Sequence, residues 1–260
     1  MSNIRQAFQN GKAFIPFITC GDPDLESTKR NVRAAVAAGA DLVELGIPFS
    51  DPTAEGPVIQ AANLRALSGG VTTDAVFQMV AELREELTTP FVFMTYANVV
   101  FSYGIEHFAA RAAEVGIDGI ILPDVPFEEK EEFAPAFRAA GIDFISMIAP
   151  TSMARIREIA AAAEGFLYVV SSLGVTGVRR EINTDLSGML ASVRQANPSL
   201  PAAIGFGIST PAQAQRMAAV ADGVIVGSAI VRIMAEKGRE ADEEIARYVR
   251  EMKTAANTFQ

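Results

Sequence analysis

The chain has 260 residues, half of them hydrophobic, and a net charge of −9. That length suits two domains or one (β/α) barrel, and the acidic balance excludes a nucleic-acid binder, whose phosphate contacts need clustered Lys and Arg. No apolar run reaches the roughly 18 residues of a membrane span, MSNIRQAFQNGK is too polar for a signal peptide, and Cys20 is the one cysteine, so a cytoplasmic protein without disulfides is expected.

After a short N-terminal helix, brief β-rich apolar runs alternate with longer Ala-rich segments. The runs are AFIPFIT from Ala13, DLVEL from Asp41, FVFMTY from Phe91, GIIL from Gly119, DFISMI from Asp143, FLYVVS from Phe166, AAIGF from Ala202 and GVIVG from Gly223. Between them STKRNVRAAVAAG, AVFQMVAELREEL, FAPAFRAAG and PAQAQRMAAVA carry apolar residues at helical spacing. AAGADLVELG, EVGIDGIILPD and AAGIDFISMIAP form a weak internal repeat, in which Gly39, Gly116 and Gly141 suit a left-handed position just after a helix. Eight βα units within about 250 residues predict a TIM (β/α)8 barrel, a single domain over residues 1–260. The rival is an open doubly wound sheet, but no GxGxxG follows the first strand.

In a barrel the loops after the strands form the active face. GFGIST and GSAIV place Gly205, Gly207, Gly227 and Ser228 there, with Ser209 as a cap for a helix starting at Pro211. Such glycines let backbone N–H groups approach an anion at a helix N-terminus, so these loops suit a phosphate, with Gly177 as a third wall. Service in tight βα turns is the alternative. No P-loop lysine is present, which disfavours a nucleoside triphosphate. The single histidine, His107, reads as a solvated helix residue, and no Cys cluster replaces a His-rich metal site, so no metal is expected.

Glu44 sits inside the apolar run DLVEL, with Leu42 on the same face and Val43 and Leu45 on the other. Barrel strands are covered on both sides, so the carboxylate is either paired at the strand end or shifted upward in pKa and able to act as acid and base. Asp51 and Glu55 follow in a loop stiffened by Pro48, Pro52 and Pro57. Asp51 there reads first as a turn former. Phe17, Tyr96, Tyr168 and Phe206 fall near strand ends and suit either a pocket for a flat apolar group or plain core.

FIPFITCGDPD, DLVELGIPFSDPTAEGPVIQAANLRAL, MTYANVVFSYG, PDVPFEE, LGVTG, GFGIS and GSAIV, in this order and spacing, resemble the tryptophan synthase alpha subunit family over almost the whole chain. The resemblance implies a TIM-barrel lyase that cleaves indole-3-glycerol phosphate to indole and glyceraldehyde 3-phosphate, with no cofactor of its own. It implies Glu44 as the proton shuttle and Glu55 as the acid that holds the indole N–H, a position usually Asp in the family. It further implies phosphate binding by Gly177, Gly207, Gly227 and Ser228, an indole and glycerol pocket with Ile59, Met94, Tyr168 and Phe206, and Thr176 in a loop that closes over substrate. A beta subunit carrying pyridoxal phosphate is the implied partner in an alpha2beta2 tetramer, contacted through Pro48, Asp51 and Pro52. The rivals are indole-glycerol phosphate synthase, phosphoribosylanthranilate isomerase and a silent barrel that only activates its partner. No barrel-strand lysine suits the synthase, ELGIPFSDP does not belong to the isomerase, and the acid pair argues against silence.

Overall fold

The structure is a computed structural model that describes residues 2–171 and 185–258. Its strands are β1 (Ala13–Thr19), β2 (Val43–Gly46), β3 (Phe91–Met94), β4 (Gly119–Ile121), β5 (Asp143–Phe144), β6 (Met147–Ile148), β7 (Leu167–Val170), β8 (Ala202–Gly205) and β9 (Gly223–Val226). All neighbours pair in parallel, in the order β5-β4-β3-β2-β1-β9-β8-β7-β6. The two ends of that order are halves of the single run read as DFISMI. Across the break, Ile145 N donates to Ile120 O at 2.9 Å and Tyr168 N donates to Ser146 O at 3.0 Å, so the ladder continues on both sides and the barrel closes.

Around it run α1 (Leu25–Ala37), α2 (Pro57–Ser68), α3 (Thr73–Arg84), α4 (Ala97–Tyr103), α5 (Ile105–Glu114), α6 (Ala134–Ala139), α7 (Met153–Ala161), α8 (Leu186–Ala196), α9 (Pro211–Ala218), α10 (Ser228–Lys237) and α11 (Asp242–Ala256). The period-2 alternation of the strands separates two cores. Ile15, Phe17, Leu42, Val92, Met94, Ile121, Tyr168 and Ile225 face the barrel axis, while Phe14, Val43, Leu45, Phe91, Phe93, Val169 and Val224 pack under the helices. A 3-10 turn, Ile4–Phe8, plugs the lower mouth, with Ile4 wholly buried in the inner core. Among the described residues no helix is long and apolar enough to cross a membrane.

The repeat seen in the sequence has two structural meanings. Gly39, Gly116 and Gly141 take positive φ after α1, α5 and α6, as a helix-ending C′ residue requires. The Asp two residues further on ties neighbouring strand starts together: Asp41 accepts Phe14 N at 2.7 Å and Asp118 accepts Phe91 N at 3.0 Å. Asp222 repeats the device on Ala202 N at 2.9 Å. These carboxylates satisfy backbone donors at the lower rim, where the ladder has no partner to offer.

Asp118 is the most heavily used of the three, because it also accepts Asn3 N at 2.9 Å and pairs with Arg84 at 2.9 Å. Replacing it with Ala leaves the buried Phe91 N–H without its acceptor and takes the charge partner from a largely buried guanidinium, which keeps only its carbonyl bonds. Asp118→Ala is expected to cost about 3–5 kcal/mol of stability in urea denaturation, with the activity of the folded fraction unchanged because the upper rim is untouched.

Candidate active site

The upper mouth of the barrel holds a cavity of roughly 440 Å³, counting the space at its opening, walled by Phe17, Glu44, Ile59, Met94, Tyr168 and Phe206 and by Gly207, Ile208, Ile225, Gly227 and Ser228. Phe17 and Glu44 are register partners on β1 and β2, and Met94 lies on β3 two residues above Val92, the partner of Glu44. Two strand glycines make room for the aromatic walls. A Cβ on Gly46 would lie 2.5 Å from the Phe17 ring, and one on Gly205 would lie 2.4 Å from the Tyr168 hydroxyl. Phe206 has φ +74, a left-handed conformation that costs a non-glycine residue on the order of 1–3 kcal/mol. The Ser171 hydroxyl donates to its carbonyl at 2.7 Å, and the ring meets Tyr168 edge to face at 6.1 Å.

One end of the cavity is built for an anion. Gly227 is the N-cap of α10 and offers no side chain to its first-turn N–H groups, which have no carbonyl one turn back. Gly227 and Ser228 wall the cavity, so those donors and the helix dipole face it. The neighbouring α9 differs. Its N-cap is Thr210 rather than Ser209, and Gln213 completes a capping box by accepting from Thr210 N at 3.1 Å. Ser209 N also donates to the Gln213 side chain, at 2.9 Å. That terminus is satisfied internally, and the uncapped one is left for a ligand. None of the described wall residues is Lys or Arg.

The acids lie at the other side. Glu44 is 1% exposed, and its Oε2 has no hydrogen-bond partner among the described residues. Burial, reinforced by the nearby Glu55, pushes its pKa up to about 8. Glu55, 4% exposed, is raised to about 7 by burial, opposed by the Asn63 amide, which donates to Oε2 at 2.6 Å. Glu55 does not wall the cavity; it stands behind it, where its charge still acts on Glu44.

Tyr96 is not brought into the cavity wall either. Its ring stacks on Phe49 at 5.2 Å and its hydroxyl accepts Ala54 N at 3.2 Å, so it braces the loop that carries Glu55. That loop ends sooner than its prolines suggest, because Pro57 is the first residue of α2, where its fixed φ is pre-organised for a helix. Pro48 is buried, while Asp51 is exposed and accepts from the Ser50 hydroxyl, and Pro52 is partly exposed. Gly177 and Thr176 lie outside the described residues. Ile208, Ile225 and Asn63 belong to the site without having been singled out in the sequence. The parity of Ile225 on β9 was a readable signal for one of them. His107 is exposed and stacks on Tyr103 at 5.0 Å, remote from these walls.

The family model described as "Tryptophan synthase alpha chain" matches residues 2–259. A tryptophan synthase alpha chain of Lactiplantibacillus plantarum is 51% identical over 98% of this chain and 96% of its own length. The crystal structure of the alpha subunit from Legionella pneumophila is 35% identical and superposes with a TM-score of 0.86 over the full length of both chains. A structure of the tryptophan synthase a2b2 complex from Pyrococcus furiosus is 37% identical with a TM-score of 0.83, over 94% of this chain and 99% of that one.

The raised pKa of Glu44 has a sign that stability measurements can read. Between pH 4.5 and about 8 the folded chain keeps a proton that the unfolded chain releases, so stability falls as pH rises through that window. Each pH unit there removes about 1.4 kcal/mol. Glu44→Gln is therefore expected to be more stable than wild type by a few kcal/mol in urea at pH 8 and nearly equal to it at pH 5.

Proposed function

This chain belongs to the tryptophan synthase alpha chain family, and from that premise we propose that Glu44 and Glu55 are the acid pair of its retro-aldol cleavage of indole-3-glycerol phosphate. The observation that carries the reading is a wholly buried carboxyl on the cavity wall with one oxygen unpartnered and a pKa above neutrality. Such a group holds a proton at pH 7 and has a free site from which to give it.

In this reading the substrate phosphate lies at the N-terminus of α10, among Gly207, Gly227 and Ser228, and the indole lies between Phe17, Ile59, Met94, Tyr168 and Phe206. Glu44 protonates the indole carbon that bears the glycerol chain. Positive charge appears on the ring nitrogen, and the Glu55 carboxylate, reaching in from behind the wall with the oxygen that Asn63 does not hold, takes the N–H hydrogen bond. Glu44, now ionised, removes the proton of the adjacent glycerol hydroxyl. The carbon–carbon bond breaks, its electrons return to the ring, and indole and glyceraldehyde 3-phosphate leave with Glu44 again protonated. The two acids need opposite protonation states at one pH, Glu44 as the acid and Glu55 as the carboxylate. Gly177 and Thr176 complete the phosphate site and the covering loop by resemblance.

The chain needs no cofactor for this sequence, pyridoxal phosphate belonging to the beta partner that receives the indole. Asp51 and Pro52 present the outer edge of the loop to that partner, and Pro48 holds the loop from beneath. Contact there bears directly on Glu55, four residues on from Asp51, which predicts weak turnover by the isolated chain and activation in an alpha2beta2 complex. A cytoplasmic location agrees with the single cysteine, Cys20, whose thiol is free and buried.

Indole release from indole-3-glycerol phosphate, measured with and without a beta subunit, tests the assignment. Glu44→Gln is expected to lose a factor of about 100 or more in both settings, the ordinary contribution of a general acid and base. Glu55→Asp, which shortens the arm reaching Asn63, is expected to lose about tenfold. Full activity in Glu44→Gln would remove the proposed mechanism, and equal turnover with and without beta would remove the coupling.

A further inference from the structure

Helix α2 does more than close one side of the cavity. Three of its side chains converge on the loop below it. Ile59 forms part of the wall, Gln60 donates from Nε2 to the Glu55 carbonyl at 2.7 Å, and Asn63 donates from Nδ2 to Glu55 Oε2 at 2.6 Å. The helix is itself anchored one half-turn further on, where Arg65 grips the buried Asp22 with two bonds of 2.8 and 2.7 Å. Glu55 is thus held at both its main chain and its side chain by an element whose position is fixed against the loop after β1.

We propose that Asn63 is the positioning residue of the acid pair, its amide pinning the Glu55 carboxylate on α2 so that this acid is the anionic partner and Glu44 the proton carrier. The inference rests on the reading of Glu55 given above. Asn63 is 3% exposed, so its amide is shielded from water and its bond to the carboxylate acts in a low-dielectric setting. An amide N–H donated to a carboxylate favours the ionised form, and it is the one side-chain group that lowers the affinity of Glu55 for a proton. The other titratable groups around the pair push the opposite way or are neutral. Glu44 faces it from β2, Tyr96 from the end of β3 and Tyr168 stands beside Glu44 from β7. Without the Asn63 amide, nothing in this set distinguishes one acid from the other except burial.

The geometry also accounts for a glutamate at position 55. Its carboxylate reaches Asn63, in the second turn of α2, from a loop residue outside the helix, and the longer arm spans that gap while Gln60 fixes its base.

A double-mutant cycle in the complex with the beta subunit separates positioning from mere packing. Indole formation is measured from pH 5.5 to 9 for wild type, Asn63→Leu, Glu55→Gln and the double variant. Asn63→Leu is expected to lower kcat by about 10- to 100-fold, the loss typical of a hydrogen bond to a charged group, with KM changed less than about threefold. Its acid limb of kcat/KM is expected to move toward higher pH, because Glu55 then ionises later. In the Glu55→Gln background the same substitution is expected to change kcat by less than about twofold. Asn63→Ser, smaller and unable to reach the carboxylate, is expected to reproduce the pH shift and serves in place of the Leu variant if that one does not fold. An unshifted pH profile, or an equal loss in the Glu55→Gln background, overturns the proposal. Wild-type turnover by Glu55→Gln alone overturns instead the reading of Glu55 on which it rests.

Discussion

Placing Glu44 inside an apolar barrel, with one oxygen left without a partner, is the constraint to which the upper half of the molecule answers. A carboxylate in such a place is costly, and a protein that retains one either pairs it or lets it keep a proton. Among the described residues the charge that acts on it is a second acid, Glu55, which raises the proton affinity further. The barrel therefore stores a proton at neutral pH next to a cavity lined by aromatic and aliphatic side chains, and the stability lost to that arrangement is the complement of its chemical use.

Several local features read as support for the same cavity. Gly46 and Gly205 give up their side chains so that the rings of Phe17 and Tyr168 can lie across the strands. Phe206 accepts a left-handed backbone, held by the Ser171 hydroxyl, and turns its ring toward Tyr168. The N-terminus of α10 is left uncapped while that of α9 closes on itself through Thr210 and Gln213. The stabilising devices sit at the other end. Asp41, Asp118 and Asp222 tie strand starts together at the lower rim, away from the chemistry. The left-handed Phe206 and the unpartnered Glu44 oxygen sit at the cavity end of the barrel, and the carboxylate ties sit at the opposite end.

Much of this was legible in the residues. The alternation of β-rich and helical segments gave the closed barrel, and the period of two in DLVEL put Glu44 on one face with Leu42, which the structure turns inward. The glycines of GFGIST and GSAIV marked one end of the cavity wall, where Gly207 and Gly227 lie. What was hidden depended on which side chains meet, which strand parity and helical spacing do not encode. That Tyr96 braces a loop instead of walling the cavity follows from its stacking on Phe49, which strand parity does not encode. The cap at Thr210 rather than Ser209 follows from where Gln213 reaches, and the split of DFISMI into β5 and β6 follows from the barrel closing through it. Asn63 looked like one more polar residue on a helix, and only the fold brings it to Glu55, eight residues before it in the chain.

The central claim is that burial lifts two neighbouring carboxyls well above the range of a free glutamate. Carbon-13 NMR of protein labelled at the glutamate side-chain carboxyl carbons reads this directly, with the two resonances assigned by Glu44→Gln and Glu55→Gln. The account predicts that both titrate well above the range of exposed glutamates, Glu44 near pH 8 and Glu55 near pH 7, with the Glu44 resonance moving down in pH when Glu55 is neutralised. Two resonances that titrate together near pH 4 to 5, the ordinary range of about 4.3 for a free glutamate, would contradict it.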